Sequence, residues 1–317
     1  MAHILLTDHC NRRCPYCFAK DRLADEKPTN MAYDDFVIAV NFLVRSGERG
    51  ITLLGGEPTL HPELVRLYSY LIRRRLSVLM FTNGCADTRV VKELQRCLQP
   101  EQTHFVVNVN APGDREPWEE RRQEEFFTAL GDVCGLGLNL YRPDLDLAFS
   151  FDYFDRYELR PDVRIGIAHP LVGHDNVHLP VQDFSRANAM VAEFVRECDR
   201  RDILVTLDCG FTLCDFSDAD LGAIARARTR FEIACGPIVD IGPDLLCWPC
   251  FPLSELERVP LSQFADLEEI KEHFGRIVGE KLQACGHTGL YSECADCRYQ
   301  ERDRCSGGCL AHAFAGD

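Results

Sequence analysis

The sequence predicts an α/β fold: a parallel sheet wound into a partial or full β/α barrel, followed by a small cysteine-rich domain. Near-continuous apolar runs recur at residues 3–7, 50–54, 77–82, 104–110, 137–141, 163–169 and 203–208. Amphipathic stretches separate them at 33–45, 62–74, 88–98, 118–133, 146–157 and 184–200. Buried strands alternating with helices need right-handed crossovers, and the chemistry of such sheets sits at the C-terminal ends of the strands. From about Phe211 the alternation stops and cysteines crowd, which divides the chain into residues 1–212 and 213–317.

The first strand runs into Cys10-Asn11-Arg12-Arg13-Cys14-Pro15-Tyr16-Cys17. Three thiols at this spacing on a loop converge on one face of a small iron–sulfur cluster. Three ligands for four irons leave one iron open to a substrate or cofactor, which points to chemistry more than to electron storage. With 17 cysteines in 317 residues the spacing is suggestive by itself, not decisive. Cys14-Pro15-Tyr16-Cys17 also reads as a redox dithiol at a helix start. Cys10 has no role in a dithiol site, and the chain is much longer than that fold needs. The second strand runs into Gly55-Gly56-Glu57-Pro58-Thr59, and His61-Pro62-Glu63 then opens a helix. Two glycines let the backbone approach a ligand, and the Glu–Pro pair fixes an extended exit with a carboxylate at the strand's end. The same residues also suit a plain strand-to-helix turn.

Together the two motifs resemble those of the radical S-adenosylmethionine enzymes. That family carries Cys-x3-Cys-x2-Cys after the first strand, with an aromatic before the last Cys, as Tyr16 is here. Its Gly-Gly-Glu-Pro turn follows the second strand and binds the methionine amino group. The resemblance implies a partial barrel of six β/α units, with residues 203–208 as an extra strand. It implies a 4Fe–4S cluster on Cys10, Cys14 and Cys17, whose open iron takes the amino and carboxylate groups of S-adenosylmethionine. Reductive cleavage then gives a 5′-deoxyadenosyl radical that abstracts hydrogen. The cofactor-binding set is Tyr16, Gly55, Gly56, Glu57 and Pro58, with Thr82, Asn83, Asn108, Asn139 and His169 from later strand ends. Asn and Gly at strand ends equally make turns. Cys85 and Cys209 also lie at strand ends, as hydrogen-atom donors or as packing residues. Cys97, Cys134 and Cys198 fall on helix-like stretches and read as small buried residues.

In the tail, Cys235 precedes a hairpin that ends Cys247-Trp248-Pro249-Cys250, and Cys294, Cys297, Cys305 and Cys309 share one glycine-containing loop. Such spacing suits zinc as well as iron–sulfur. The segment resembles the SPASM domain, which holds two auxiliary 4Fe–4S clusters in many peptide-modifying relatives. The resemblance assigns Cys235, Cys250 and Cys309 to the first cluster, with a fourth ligand from Cys214, Cys247 or nowhere. It assigns Cys294, Cys297 and Cys305 to the second. Two departures stand out: the family's hairpin glycine is replaced near Leu245, and its final cysteine is missing before Asp317. Cys285 substitutes for that cysteine, or the second cluster is open or absent, so one or two auxiliary clusters are expected.

No apolar run is long enough to span a membrane, and Met1-Ala2-His3 leads straight into a strand with no signal peptide. Clustered thiols suggest metal binding in a reducing cytoplasm. A net charge of −15 argues against a nucleic-acid partner, and the Arg73-Arg74-Arg75, Arg121-Arg122 and Arg200-Arg201 clusters fall on helix faces. The resemblance implies a peptide or small-molecule substrate and an external electron donor of flavodoxin or ferredoxin type. With the first motif so near Met1, a leader-binding domain is not expected; a separate peptide-binding protein takes that role, or the substrate is small or leaderless. Oxidative modification or crosslinking of a peptide is the first expectation, and epimerisation with a Cys hydrogen donor the second. From another class, the chain reads as a non-catalytic iron–sulfur or zinc protein, or as a thiol–disulfide oxidoreductase.

Overall fold

A computed structural model describes residues 2–19, 27–231, 235–236, 238–286, 288–302 and 304–315. The alternation begins β1 (Ala2–Leu5), α1 (Tyr33–Arg45), β2 (Gly50–Leu54), α2 (Leu64–Arg73), β3 (Ser77–Thr82), α3 (Thr88–Cys97) and β4 (Thr103–Asn108). It continues through α4 (Pro117–Leu130), β5 (Cys134–Leu140), α5 (Phe151–Arg156), β6 (Asp162–Ile167), α6 (Phe184–Arg200) and β7 (Leu204–Leu207). Then come α7 (Asp218–Arg226), β8 (Thr229–Phe231), β9 (Val239–Ile241), β10 (Leu246–Pro249), β11 (Val259–Pro260), α8 (Leu267–Cys285) and α9 (Leu310–Ala315).

Among the described residues the strands form one sheet, ordered β11-β10-β9-β1-β2-β3-β4-β5-β6-β7-β8. From β9 through β8 every neighbouring pair is parallel, and only the β9–β10 and β10–β11 pairs are antiparallel. Among the described residues the ends β8 and β11 do not pair, so the sheet they form is open. Two features differ from the expectation. The alternation runs one unit past Phe211, through α7 and β8. The cysteine-flanked hairpin does not stand apart: β9 pairs with β1, Ala2 opposite Val239 and Ile4 opposite Ile241. Both units are short, and a three-residue strand offers too few positions for a period to show.

Strand period two separates the faces. Ile4, Leu53, Met80, Phe105, Val107, Leu136 and Ile165 are buried on the core face. The opposite face carries polar groups that pair with one another. His3 Nδ1 lies 2.8 Å from Asp240 Oδ1, Arg164 forms an ion pair with Asp208, and its guanidinium sits 5.0 Å from the Phe81 ring centroid. The sequence also encodes α8: Asp266 accepts from Glu269 N while Glu269 accepts from Ala265 N. Gly286, at φ 72°, closes the helix.

Candidate functional site

β1 pairs with β2, and the ladder continues beyond both strands: Gly56 N donates to Thr7 O at 2.7 Å and Glu57 N to His9 O at 2.7 Å. The thiol loop and the Gly-Gly turn are thereby bound edge to edge. The glycines are needed for this contact. A Cβ on Gly55 would lie 2.6 Å from Thr7 O, and one on Gly56 would lie 2.3 Å from His9 O and 3.0 Å from the Cys10 Cβ. The close approach is therefore to the protein's own cysteine loop.

Cys10, Cys14 and Cys17 are all partly buried. Burial and then the nearby Glu57 push the Cys10 thiol up to about 12, with smaller contributions from Cys14 and Cys17. Amide donors face the sulfurs: Asn83 Nδ2 lies 3.9 Å from Cys10 Sγ and Asn110 Nδ2 3.7 Å from Cys14 Sγ. Tyr16 donates to Asn110 Oδ1 at 2.5 Å and stacks on Tyr141, centroids 4.7 Å apart. Three thiols in mutual electrostatic reach, with amides aimed at two of them, fit a thiolate-ligated cluster, because hydrogen bonds stabilise the thiolate charge. Among the described residues no three His, Cys, Asp or Glu side chains are gathered to hold a single metal ion.

The remaining expected residues divide. Glu57 is buried, and its carboxylate accepts from Thr59 N, the Thr59 and Thr82 hydroxyls, and Asn83 N, at 2.6–3.0 Å. Glu57 and Thr82 thus bind each other, tying the β2 turn to the end of β3. Pro58 begins the short helical turn that follows. Asn108 and Asn139 face each other across β4 and β5, Nδ2 to Oδ1 at 3.5 Å. His169 meets α9 and the loop after β7: its Nδ1 is 3.1 Å from His312 Nε2 and its Nε2 3.4 Å from Cys209 O. Burial and then His312 lower its basicity to about 3.

Cys85 is buried, its sulfur 3.6 Å from Asn83 O and 3.8 Å from Glu119 O, and burial pushes it up to about 12. Cys247 is not with the other tail thiols. On β10 it faces the core, wholly buried, and donates to Val259 O at 3.1 Å. Strand alternation puts its side chain opposite that of Trp248. Cys285 lies exposed at the last turn of α8. Leu245 occupies the left-handed region at φ 59° in the hairpin turn, where a glycine would be relaxed.

Sequence reasoning missed the group under the loop. Arg12 is buried, forms an ion pair with Glu119, and donates to Asn108 O at 2.9 Å. Asn11 donates to Cys85 O at 2.9 Å and accepts from Asn83 at 2.8 Å. The one available signal was two arginines between cysteines of a metal motif.

Comparison with known proteins agrees with this geometry. Residues 4–139 match the profile of the Radical SAM superfamily. A GTP 3',8-cyclase of Microcystis aeruginosa is 39% identical over 67 residues, 20% of each chain. Molybdenum cofactor biosynthesis protein 1 of Drosophila melanogaster is 30% identical over 157 residues, 47% of this chain and 26% of that one. The matched stretches thus span only about a fifth to a quarter of those relatives. Among solved structures, Streptococcus suis SuiB bound to S-adenosylmethionine superposes with TM-score 0.66 at 14% identity, over 98% of this chain and 72% of that one. The anSMEcpe structure with bound AdoMet and Cp18Cys peptide gives 0.65 at 16%, over 99% and 90%. Both show the fold. Residues 4–139 are thus similar to the Radical SAM superfamily domain over somewhat less than half of the chain.

Proposed function

We propose that this protein is a radical S-adenosylmethionine enzyme that oxidatively modifies or crosslinks a peptide, with residues 1–212 as its core and 213–317 as an auxiliary-cluster domain. The carrying observation is the loop of Cys10, Cys14 and Cys17, latched to the Gly55–Gly56 turn by main-chain hydrogen bonds. When bound, the cluster and S-adenosylmethionine supply hydrogen-atom abstraction, driven by one electron from a flavodoxin- or ferredoxin-type donor. Cys10, Cys14 and Cys17 hold the cluster. Asn83 and Asn110 donate toward the sulfurs of Cys10 and Cys14, and Tyr16 fixes Asn110. Asn108 and Asn139 offer amides to the cofactor, while Glu57 and Thr82 brace the turn. The auxiliary thiols would hold iron–sulfur centres, which would supply an acceptor for an electron released on substrate oxidation.

A peptide substrate is supported by the two solved structures of like fold whose titles name peptides, SuiB with precursor peptide SuiA and anSMEcpe with Cp18Cys. A nucleotide triphosphate, the substrate named by the cyclase relatives, is disfavoured by the chemistry of the strand ends. Arg12, Arg142 and Arg164 are paired with Glu119, Asp114 and Asp208, and the net charge is −15. We place the epimerase reading second, because Cys85 lies buried against the backbone carbonyls of Asn83 and Glu119. A cytoplasmic setting, with peptide recognition aided by a separate protein, completes the proposal. No described helix is long and apolar enough to cross a membrane.

The test is anaerobic reconstitution with iron and sulfide, followed by dithionite and S-adenosylmethionine. About eight or more irons per chain, with 5′-deoxyadenosine formed and lost in Cys10→Ala, supports the reading. About four irons with turnover refutes the auxiliary iron–sulfur part. A loaded protein that neither binds S-adenosylmethionine nor forms 5′-deoxyadenosine refutes the whole.

A further inference from the structure

The loop after β7 carries two cysteines, Cys209 and Cys214, and touches both thiol groups of the tail. At Gly210, φ 107°, a Cβ would stand 2.3 Å from His169 Cε1 and 3.6 Å from the Cys309 Cβ. Only glycine lets the chain bring Cys209 down beside Cys309. Cys309 precedes α9 and packs with Leu253, Ala311 and Cys250. Cys235 N is held by Ser306 Oγ at 2.6 Å, which ties it to the same segment. The backbone N–H groups of Leu310, Leu253 and Ala311 face the sulfurs of Cys235, Cys250 and Cys309.

On the other flank, Asp215 binds the loop to the dense segment: Tyr291 OH donates to Asp215 Oδ2 at 2.8 Å, and Thr212 donates to the same oxygen. Cys294 N donates to Tyr291 O at 3.0 Å, and Cys297 N to Cys294 O at 3.3 Å. Gly289 packs so tightly that a Cβ there would lie 2.7 Å from Cys294 Sγ.

Electrostatics agree with this division. Burial comes first in raising Cys209, Cys250 and Cys309; Asp208 follows for Cys209 and Asp240 for Cys250, and neighbouring thiols add to it, Cys235 for Cys209, Cys235 and Cys209 for Cys250, and Cys235, Cys209 and Cys250 for Cys309. Cys294 is in charge contact with Cys297, Cys305 and Cys214. Neither group contracts to the single point one metal ion would occupy.

We propose that the loop after β7 supplies one thiol to each of two auxiliary 4Fe–4S centres: Cys209 joins Cys235, Cys250 and Cys309, and Cys214 joins Cys294, Cys297 and Cys305. This rests on the auxiliary-cluster reading above and names the ligands that the sequence left open. Both centres are then closed by four cysteines, with no iron free for substrate. Such centres would supply electron acceptors, with their ligands Cys209 and Cys214 separated by four residues of chain. Cys209 is a ligand rather than a hydrogen-atom donor, and neither Cys247 nor Cys285 is needed.

The unmutated protein tests this first. Iron-loaded and metal-free samples are alkylated anaerobically, and each cysteine is read by peptide mass spectrometry. Cys209 and Cys214 are expected to be protected only in the loaded form, with Cys285 alkylated in both. A second measurement uses the Cys10→Ala/Cys14→Ala/Cys17→Ala protein, which retains about eight irons. Cys209→Ala and Cys214→Ala are each expected to remove about four irons or give a three-iron resonance, and Cys285→Ala to change neither count nor spectrum. Alkylation of Cys209 and Cys214 in the loaded protein, or unchanged iron in both variants, overturns the assignment while leaving the auxiliary centres standing. A triple variant that holds zinc or no iron overturns the auxiliary reading itself.

Discussion

Neutralising Glu119 strands a buried guanidinium beneath the cysteine loop. The side chains of Arg12 and Glu119 are 2% and 8% exposed and form an ion pair. Burial opposes the charge on Arg12, but Cys85, Cys14 and Glu119 outweigh it and hold its basicity above the usual value. Breaking a buried pair from one side costs about 3–5 kcal/mol, because the remaining charge has no counterion. Glu119→Gln is therefore expected to destabilise the metal-free protein by about 3 kcal/mol. Replacing both partners, Arg12→Met with Glu119→Leu, removes the stranded charge. It forfeits the 2.9 Å bond from Arg12 to Asn108 O, worth about 1 kcal/mol. A double-mutant cycle of the Met and Leu variants should give a coupling of at least ~2 kcal/mol. The assay is urea unfolding of reduced apo-protein followed by far-UV circular dichroism, with unchanged denaturant dependence as the check. A Glu119→Gln loss below ~1 kcal/mol, or singles that simply add, would refute the reasoning.

Gly56→Ala places a Cβ 2.3 Å from His9 O and is expected to cost about 1–3 kcal/mol and to lower iron retention at the first motif, measured by iron and sulfide analysis. A variant with normal stability and iron would show that the turn tolerates displacement. Cys247→Val keeps the core filled and should leave iron content unchanged at a cost under ~1.5 kcal/mol, whereas Cys250→Ala should lose iron. Equal iron loss in both would place Cys247 among the ligands. His61 is buried, its Nε2 3.0 Å from Met31 O while Nδ1 accepts from Glu63 N at 3.1 Å, and burial lowers its basicity. Below pH ~6.5 the unfolded chain takes up a proton that the folded chain refuses, so stability falls with pH, by at most ~1.4 kcal/mol per unit for this one group. Apo-protein unfolding at pH 7.0 and 5.5 measures this slope, which His61→Gln should flatten; an unchanged slope in the variant would remove His61 as its source.

What could be read along the chain was whatever repeats or clusters locally. β2, β3, α1 and α6 lie where apolar periodicity puts them, because each is long enough to show a period and buries one face. The two motifs of the site were legible for a related reason. Thiols at fixed offsets on one loop, and two glycines before a proline, carry their geometry in their spacing. α8 was readable in principle from Asp266, Glu269 and Gly286, though the surrounding cysteines drew attention from its caps. The hairpin of β9 and β10 was legible, but β8 and the pairing of β9 with β1 were not, since three residues that pair with distant strands owe their place to those partners.

Sequence alone therefore determined the parallel α/β sheet, the three-thiol motif and the cysteine-rich tail. Tertiary structure decided which side chains meet. Glu57 accepts a hydrogen bond from the Thr82 hydroxyl because β2 and β3 are neighbours. Arg12 finds Glu119 from α4, 107 residues away by numbering. Cys247, one strand position away from a ligand-like face, points into the core. Cys209 and Cys214, unassigned by spacing, come to two different thiol groups because Gly210 and Asp215 seat their loop against a segment some 80 to 100 residues later. Spacing reports neighbours within a turn of chain; contacts across such separations are set by strand order and by which backbone leaves room for another.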